Sequence, residues 1–294
     1  GIKSGIVVDL AAAESAIRFA IAQAEDMAGI QLERIDLLLN GGPLTSRTFA
    51  AAAPVENRIV TQQTVDRLAA AGRAHVTKDG RQILQLETWG YSLDGGPLVA
   101  DPVGGRADRI AAHQFVVTTD AQPVVNLTRT IGRCYLAARR LVPGPIASSL
   151  AVTSEDERRH GIVTIDIGAA VTGVAMFQEG RAIFACTLPI GGGHVTLDIV
   201  HALRTPLEEA ERIKTLYGTV LKAQSDQHDV FTYAITGVGE GLEQRSTKAD
   251  LARIIQSRMA QLLLLVRDQL ASAGLLDGTA ARIVICGGGS EISG

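Results

Sequence analysis

The chain has 294 residues, 46% of them hydrophobic, and a net charge of −3 spread over interspersed acids and bases. That length allows two or more domains or subdomains, and the mild negative balance gives no electrostatic reason to expect a nucleic-acid partner. Aromatic residues make up only 4%, so the core is built mainly from Ala, Val, Ile and Leu. Cys134, Cys186 and Cys286 have no metal-ligand spacing and read as buried, reduced thiols of a cytosolic protein. No segment reaches the ~18 consecutive apolar residues that span a bilayer, and no signal-peptide pattern is found. The chain opens on Gly1 without Met and stops just past a glycine turn, so it is expected to be a piece of a longer protein.

In chain order, residues 6–8 predict a short buried strand. Residues 12–28 predict a helix with Ile17, Ala20, Ile21, Ala24 and Met27 on one face and Gly29 as its stop. Residues 35–39 predict a second buried strand, and this strand–helix–strand unit points to a parallel α/β layer. From about residue 54 to 120 the composition changes to one helix (62–71), alternating stretches at 83–89 and 110–117, and dense turn chemistry at 94–97 and 101–105. That block reads as a small α+β insertion. A helix is predicted over 127–141, broken by Pro143-Gly-Pro145, and a strand over 146–152. Strands at 163–167 and 173–178 form a hairpin, with a third strand at 181–188. Helices follow at 196–203 and 207–216, then a charged, less regular stretch over 218–246. A long helix over 248–272 carries the apolar face Leu251, Ile254, Ile255, Leu262, Leu265 and Val266. Residues 282–286 predict a last buried strand.

Three segments carry candidate chemistry. In the hairpin, Asp166 ends a buried strand, where open α/β sheets bind ligands. Gly168, Ala169 and Ala170 keep side chains out of the turn so that backbone amides can approach a phosphate. Thr172 offers a hydroxyl, and Asp166 is a candidate holder of a hydrated Mg²⁺. The bland alternative is a tight hairpin with a capping Asp. Further on, Glu211 and Lys214 lie three apart on one helix face and could reach a ribose and a base edge; the alternative is a solvated charged helix. Finally, a strand runs into Gly287, Gly288, Gly289 and Ser290, which lets a flat ligand touch backbone, although no Gly-Lys-Ser/Thr of a Walker loop is present. A strand–Asp–Gly hairpin, then a Glu-x-x-Lys helix, then strand–Gly–Gly is the order found in the actin and Hsp70 nucleotide clamp.

Several stretches resemble the FtsA family of bacterial cell-division proteins: residues 5–9 with the Ala-rich helix to Gly29, 91–95 followed by Asp101-Pro-Val-Gly-Gly105, 188–192 with 195–199, 210–218, and 254–258. The resemblance implies an α/β, actin-like (Hsp70/actin ATPase-type) two-lobed fold with an inserted small α+β subdomain. Residues 1–53 would be part of the first lobe (1A), 54–124 the insertion (1C-like), and 125–150 the return to that lobe. Residues 151–204 would form the second lobe's core (2A), 205–250 subdomain 2B, and 251–294 the following helix, final strand and adenosine turn. It also implies ATP and Mg²⁺ as cofactors, with Asp166, Gly168, Ala169, Thr172, Glu211, Lys214, Gly287, Gly288 and Ser290 around the nucleotide and Asp166 holding the metal through water. The implied role is a self-assembling scaffold, at most a slow ATPase. It would link the FtsZ ring to the cytoplasmic face of the inner membrane and to later division proteins through the 54–124 block. Membrane contact would come through a C-terminal segment outside this chain. Arg245, Lys248, Arg253 and Arg258 are the candidate contacts for the partly acidic FtsZ tail.

The family's phosphate turn commonly reads Asp-Leu-Gly-Gly-Gly-Thr-Thr, and here Ala169, Ala170 and Val171 stand for Gly, Gly and the first Thr. The implied grip on phosphate is weaker. The alternatives are a PilM-like pilus-assembly relative of the same fold and a sugar-kinase-type phosphotransferase. A kinase needs a general base beside an acceptor pocket, and no convincing one is found. His194 and His201 read as surface or cap residues. An Hsp70-like chaperone ATPase fits poorly with the α+β insertion.

Overall fold

The computed structural model describes residues 1–77, 80–221, 223–236, 243–276 and 282–294. Part of the irregular stretch predicted over 218–246, namely 222 and 237–242, lies outside the described residues. The chain opens with a hairpin of β1 (Ile2–Lys3) and β2 (Ile6–Val7), followed by α1 (Leu10–Ala28) and β3 (Arg34–Leu39). Asp9 caps α1 by accepting from the Ala11 and Ala12 amides, and Gly29 ends it in the left-handed conformation at φ 68°. Among the described residues β2 pairs with β1 alone, and the parallel partner of β3 is a later strand. Of the face predicted for α1, Ile17 and Ile21 pack inward, whereas Ala20, Ala24 and Met27 are exposed.

The insertion follows as β4 (Thr45–Pro54), α2 (Gln62–Thr77), β5 (Arg81–Leu93), β6 (Leu98–Val99) and β7 (Arg109–Asp120). β4 and β5 flank β7 in antiparallel register, with Leu68 and Val76 of α2 buried over them. The Asp101–Gly105 loop is tied down where the Gly104 amide donates to the Val60 carbonyl and the Val60 amide to that of Gly105.

Next come α3 (Ala121–Arg133), β8 (Ala137–Pro143), α4 (Gly144–Val152) and α5 (Glu155–His160). Two expectations fail here. The helix predicted over 127–141 stops at Arg133: Tyr135 takes φ 61°, and residues 137–143 pair in parallel with β3. Tertiary pairing overrides the helix propensity of Ala, Arg and Leu. The strand predicted over 146–152 is instead a helix. Pro145 sits in its first turn, where a missing N–H costs nothing, and Ile146 and Ser149 are buried against the strands that follow.

Those are β9 (Ile162–Ile167), β10 (Thr172–Gln178) and β11 (Arg181–Leu188), then α6 (Gly192–Leu203), α7 (Leu207–Tyr217), the hairpin β12 (Val230–Ala234) and β13 (Glu243–Thr247), α8 (Lys248–Ser272) and β14 (Arg282–Cys286). The eight-stranded sheet runs β14-β9-β10-β11-β4-β7-β5-β6. Its centre is fully buried around Ile162, Val174, Ala175, Met176 and Phe115. β14 is an edge strand, with Ile283 60% and Ile285 48% exposed, and not the buried strand expected. On α8, Leu251, Ile255, Leu262 and Val266 are buried and Ile254 packs beside them, while Leu265 lies outside the core.

Candidate nucleotide site

The hairpin turn between β9 and β10 lies against the start of α6. Gly168 closes the turn by donating its amide to the Val171 carbonyl at 3.0 Å. The amides of Gly192 and Gly193, the first two residues of α6, donate to the carbonyls of Gly168 (2.9 Å) and Ala169 (2.6 Å). Gly191 and Gly193 have to be glycines, because a Cβ on either would overlap the Gly168–Ala169 backbone. The run of three glycines ahead of α6 is a sequence signal for this close approach that the reading above did not use.

Across the cleft, Glu211 and Lys214 of α7 form one cluster with Thr196 of α6. Lys214 Nζ donates to Glu211 Oε2 (2.7 Å), Thr196 Oγ1 (2.8 Å) and the Gly192 carbonyl (3.4 Å). The Thr196 hydroxyl donates to Glu211 Oε2 at 2.6 Å. Burial works against ionisation of Glu211, but the hydrogen bonds from Lys214 and Thr196 outweigh it and hold the carboxyl below its ordinary range. Thr196 was missed in the sequence because a lone Thr in a helix gives no signal.

The third segment closes the site. Gly168, Ala169, Gly192, Gly193, Glu211, Lys214, Gly288, Gly289 and Ile292 line a cavity of about 330 Å³. The hairpin, the Glu-x-x-Lys helix and the glycine turn therefore meet in one place. A larger cavity of about 990 Å³ shares Ala169, Gly193 and Glu211 with it and extends along α6 and α7 past His194, Leu207 and Leu216.

The remaining candidates sit off the cavity. Asp166 is half-buried, accepts from the Ser148 hydroxyl at 2.5 Å and packs against Gly287. Thr172 is fully buried, and its hydroxyl donates to the Ile190 carbonyl at 2.7 Å. The Ser290 hydroxyl donates to the Gly287 carbonyl at 2.7 Å. A strand over 146–152 gives Ser148 no place near Asp166; the helix α4 brings it there.

Of the basic residues on and before α8, Arg258 makes a bidentate ion pair with Asp198 of α6, both bonds at 2.6 Å. Lys248 pairs with Asp229 and Arg253 with Asp250. Arg245 is exposed on β13 and forms no ion pair with a described residue. His194 caps α6 by accepting the Gly191 amide on Nδ1.

The family model described as cell division protein FtsA matches residues 163–294, and that of the SHS2 domain inserted in FtsA matches residues 41–118. Cell division protein FtsA of Rhizobium meliloti (strain 1021) is 32% identical over 298 residues, covering 100% of this chain and 67% of that protein. The chain belongs to the FtsA family. A second member, from Escherichia coli (strain K12), is 28% identical over 301 residues, covering 100% of this chain and 71% of its own length. Among solved structures, a PilM–PilN type IV pilus biogenesis complex matches with TM-score 0.68 at 15% identity, covering 100% of this chain and 72% of that one. MreB5 of Spiroplasma citri bound to ADP matches with TM-score 0.55 at 15% identity, covering 99% and 68%. These likenesses establish an actin-like fold, and it is the sequence relatives that separate this FtsA-family chain from the pilus-type alternative. Among the described residues no helix is long and apolar enough to cross a membrane.

Proposed function

We propose that this FtsA-family chain is part of an actin-like division scaffold that binds an adenine nucleotide, assembles with copies of itself and connects the FtsZ ring to the inner membrane and to later division proteins. The observation that carries the nucleotide part is the meeting of three separate segments on one cavity of about 330 Å³. The scaffold part is supported by family membership and by the SHS2 block at 41–118. Later division proteins would meet that block. The peripheral position on the cytoplasmic face of the membrane would come from a C-terminal segment outside this chain. Cytoskeletal function then lies in the contacts of the lobes, with nucleotide as their regulator.

For the FtsZ tail, the four basic residues separate by their partners. Arg258, Lys248 and Arg253 already neutralise carboxylates of the chain itself, while Arg245 is exposed and has no ion-pair partner among the described residues, which suits it to an acidic peptide. Fluorescence anisotropy with a labelled FtsZ C-terminal peptide is expected to give saturable binding. Arg245→Glu is expected to weaken it about fivefold to tenfold, the size of one exposed charge pair turned repulsive. Absence of binding by the folded full chain would defeat the FtsZ reading.

A further inference from the structure

We propose that this cavity holds a nucleotide by its nucleoside half alone, without magnesium and without distinguishing a triphosphate from a diphosphate. The proposal rests on the nucleotide reading above and narrows it. The resemblance implies ATP and Mg²⁺, and the residues of this chain do not fit that half of the ligand.

The phosphate side comes first. A turn that cradles phosphate converges successive amides, as a right-handed residue followed by a left-handed one does. The Gly168 amide closes the turn on the Val171 carbonyl; the Ala169, Ala170 and Val171 amides have no acceptor among the described residues, but with no positive φ at 168–171 they lack the left-handed step that makes successive amides converge. The amides at the start of α6, the other natural phosphate donors, are spent: those of Gly192 and Gly193 on the turn's carbonyls and that of Gly191 on His194. The Gly168 and Ala169 carbonyl oxygens therefore stand between α6 and any anion placed at the turn. Thr172 turns its hydroxyl to Ile190, and Val171 has none to give. An ammonium has three protons, and Lys214 has three acceptors within the fold.

Magnesium fares no better. Asp166 lines neither cavity, and its carboxylate is held between the Ser148 hydroxyl and the Gly287 turn.

The nucleoside side fits. Two walls of the cavity are glycine backbone, from Gly192 and Gly193 and from Gly288 and Gly289, which suits a flat ring, and Ile292 adds an apolar surface. Glu211 is fixed through Oε2, and its Oε1 accepts no hydrogen bond from the described residues. That oxygen can take a ribose hydroxyl or a ring amine. A volume of about 330 Å³ lies at the small end of ligand pockets, so it accommodates the nucleoside and leaves the phosphates outside it. A site that holds ATP and ADP alike gives hydrolysis no difference in binding free energy with which to shift a conformation. Bound nucleotide would then brace the lobe and would not time a cycle by hydrolysis.

Calorimetric titration of the full chain with adenosine, ADP and ATP, each with magnesium and with EDTA, tests this, together with a phosphate-release assay. The expected result is ADP and ATP affinities within about twofold of each other, indifference to EDTA, and no phosphate above buffer. Glu211→Gln is expected to weaken all three ligands alike. The combined Ala169→Gly, Ala170→Gly, Val171→Thr variant is expected to prefer ATP over ADP by about tenfold in magnesium. ATP held about tenfold tighter by the unaltered chain, a loss of that size in EDTA, or phosphate release would overturn the proposal. So would a combined variant that binds ADP yet gains no preference. Binding of none of the three ligands would instead defeat the nucleotide reading itself.

Discussion

Gly287 takes φ 83° at the end of β14, and a Cβ there would lie 2.4 Å from Asp166 Oδ1 and 2.6 Å from the Ile167 carbonyl oxygen. Neither neighbour can retreat cheaply. Ser148 holds the carboxylate, and Ile167 belongs to β9. Gly287→Ala therefore combines left-handed strain with overlap, and is expected to cost about 2–4 kcal/mol. A urea midpoint measured by circular dichroism checks it; a midpoint unmoved from that of the unaltered chain would mean that the turn yields. Such detail was only half legible in the sequence. The glycine runs and the Glu211–Lys214 spacing were visible because spacing fixes which residues share a face. The direction of the Thr172 and Ser290 hydroxyls was not, since residue type names a donor without saying which carbonyl will claim it.

At the level of elements, the parallel pair β3–β8 is braced from its surface. Asp36 on β3 accepts from Arg139 and Arg140 on β8, with ion-pair distances of 2.6 and 2.7 Å. These hydrogen bonds, Arg139 first, hold the Asp36 carboxyl well below the usual carboxylate range. A carboxylate depressed in the folded state gives its full stabilisation above its unfolded value of about 3.9 and loses it as pH falls through the interval beneath. Asp36→Asn is accordingly expected to lower the urea midpoint at pH 7, and the gap from the parent should close as pH drops below about 4. A gap that stays constant down to pH 2.5 would remove the charge from the explanation. This same pair explains the misreading of residues 127–141. Ala, Arg and Leu satisfy a helix locally, and only the partner strand about a hundred residues earlier, Asp36 against Arg140 in register, makes 137–143 a strand. Hairpins such as β9–β10 were legible because both strands and their turn are contiguous.

For the molecule as a whole, the question is whether the inserted block and the β9–β11 strands unfold together. Their ladder contact is narrow: β11 meets β4 at Cys186 opposite Thr45. Side chains widen it. The Thr187 hydroxyl donates to the Gly42 carbonyl at 2.7 Å and accepts the Leu44 amide at 3.1 Å, and the Ala185 amide donates to Ser46 Oγ at 2.7 Å. Beneath the junction, Leu44, Phe115 and Val117 share one apolar cluster with Ile162, Ala175, Phe177 and Ala185. A shared core of that kind makes the two halves one cooperative unit. Cys186 reports on it, because burial pushes its thiol up to about 12 and only the thiolate reacts. Labelled at pH 8 and followed by mass spectrometry, Cys186 is expected to react with the opening free energy found by urea unfolding. Thr187→Val, which removes the hydroxyl but keeps the shape, should cost about 1–2 kcal/mol and speed that labelling roughly fivefold to thirtyfold. If Cys186 instead reacts at a much lower opening free energy while the amides of β7 stay protected from exchange, the insertion and the β9–β11 strands separate before either unfolds, and the continuous sheet is a hinge and not a single body.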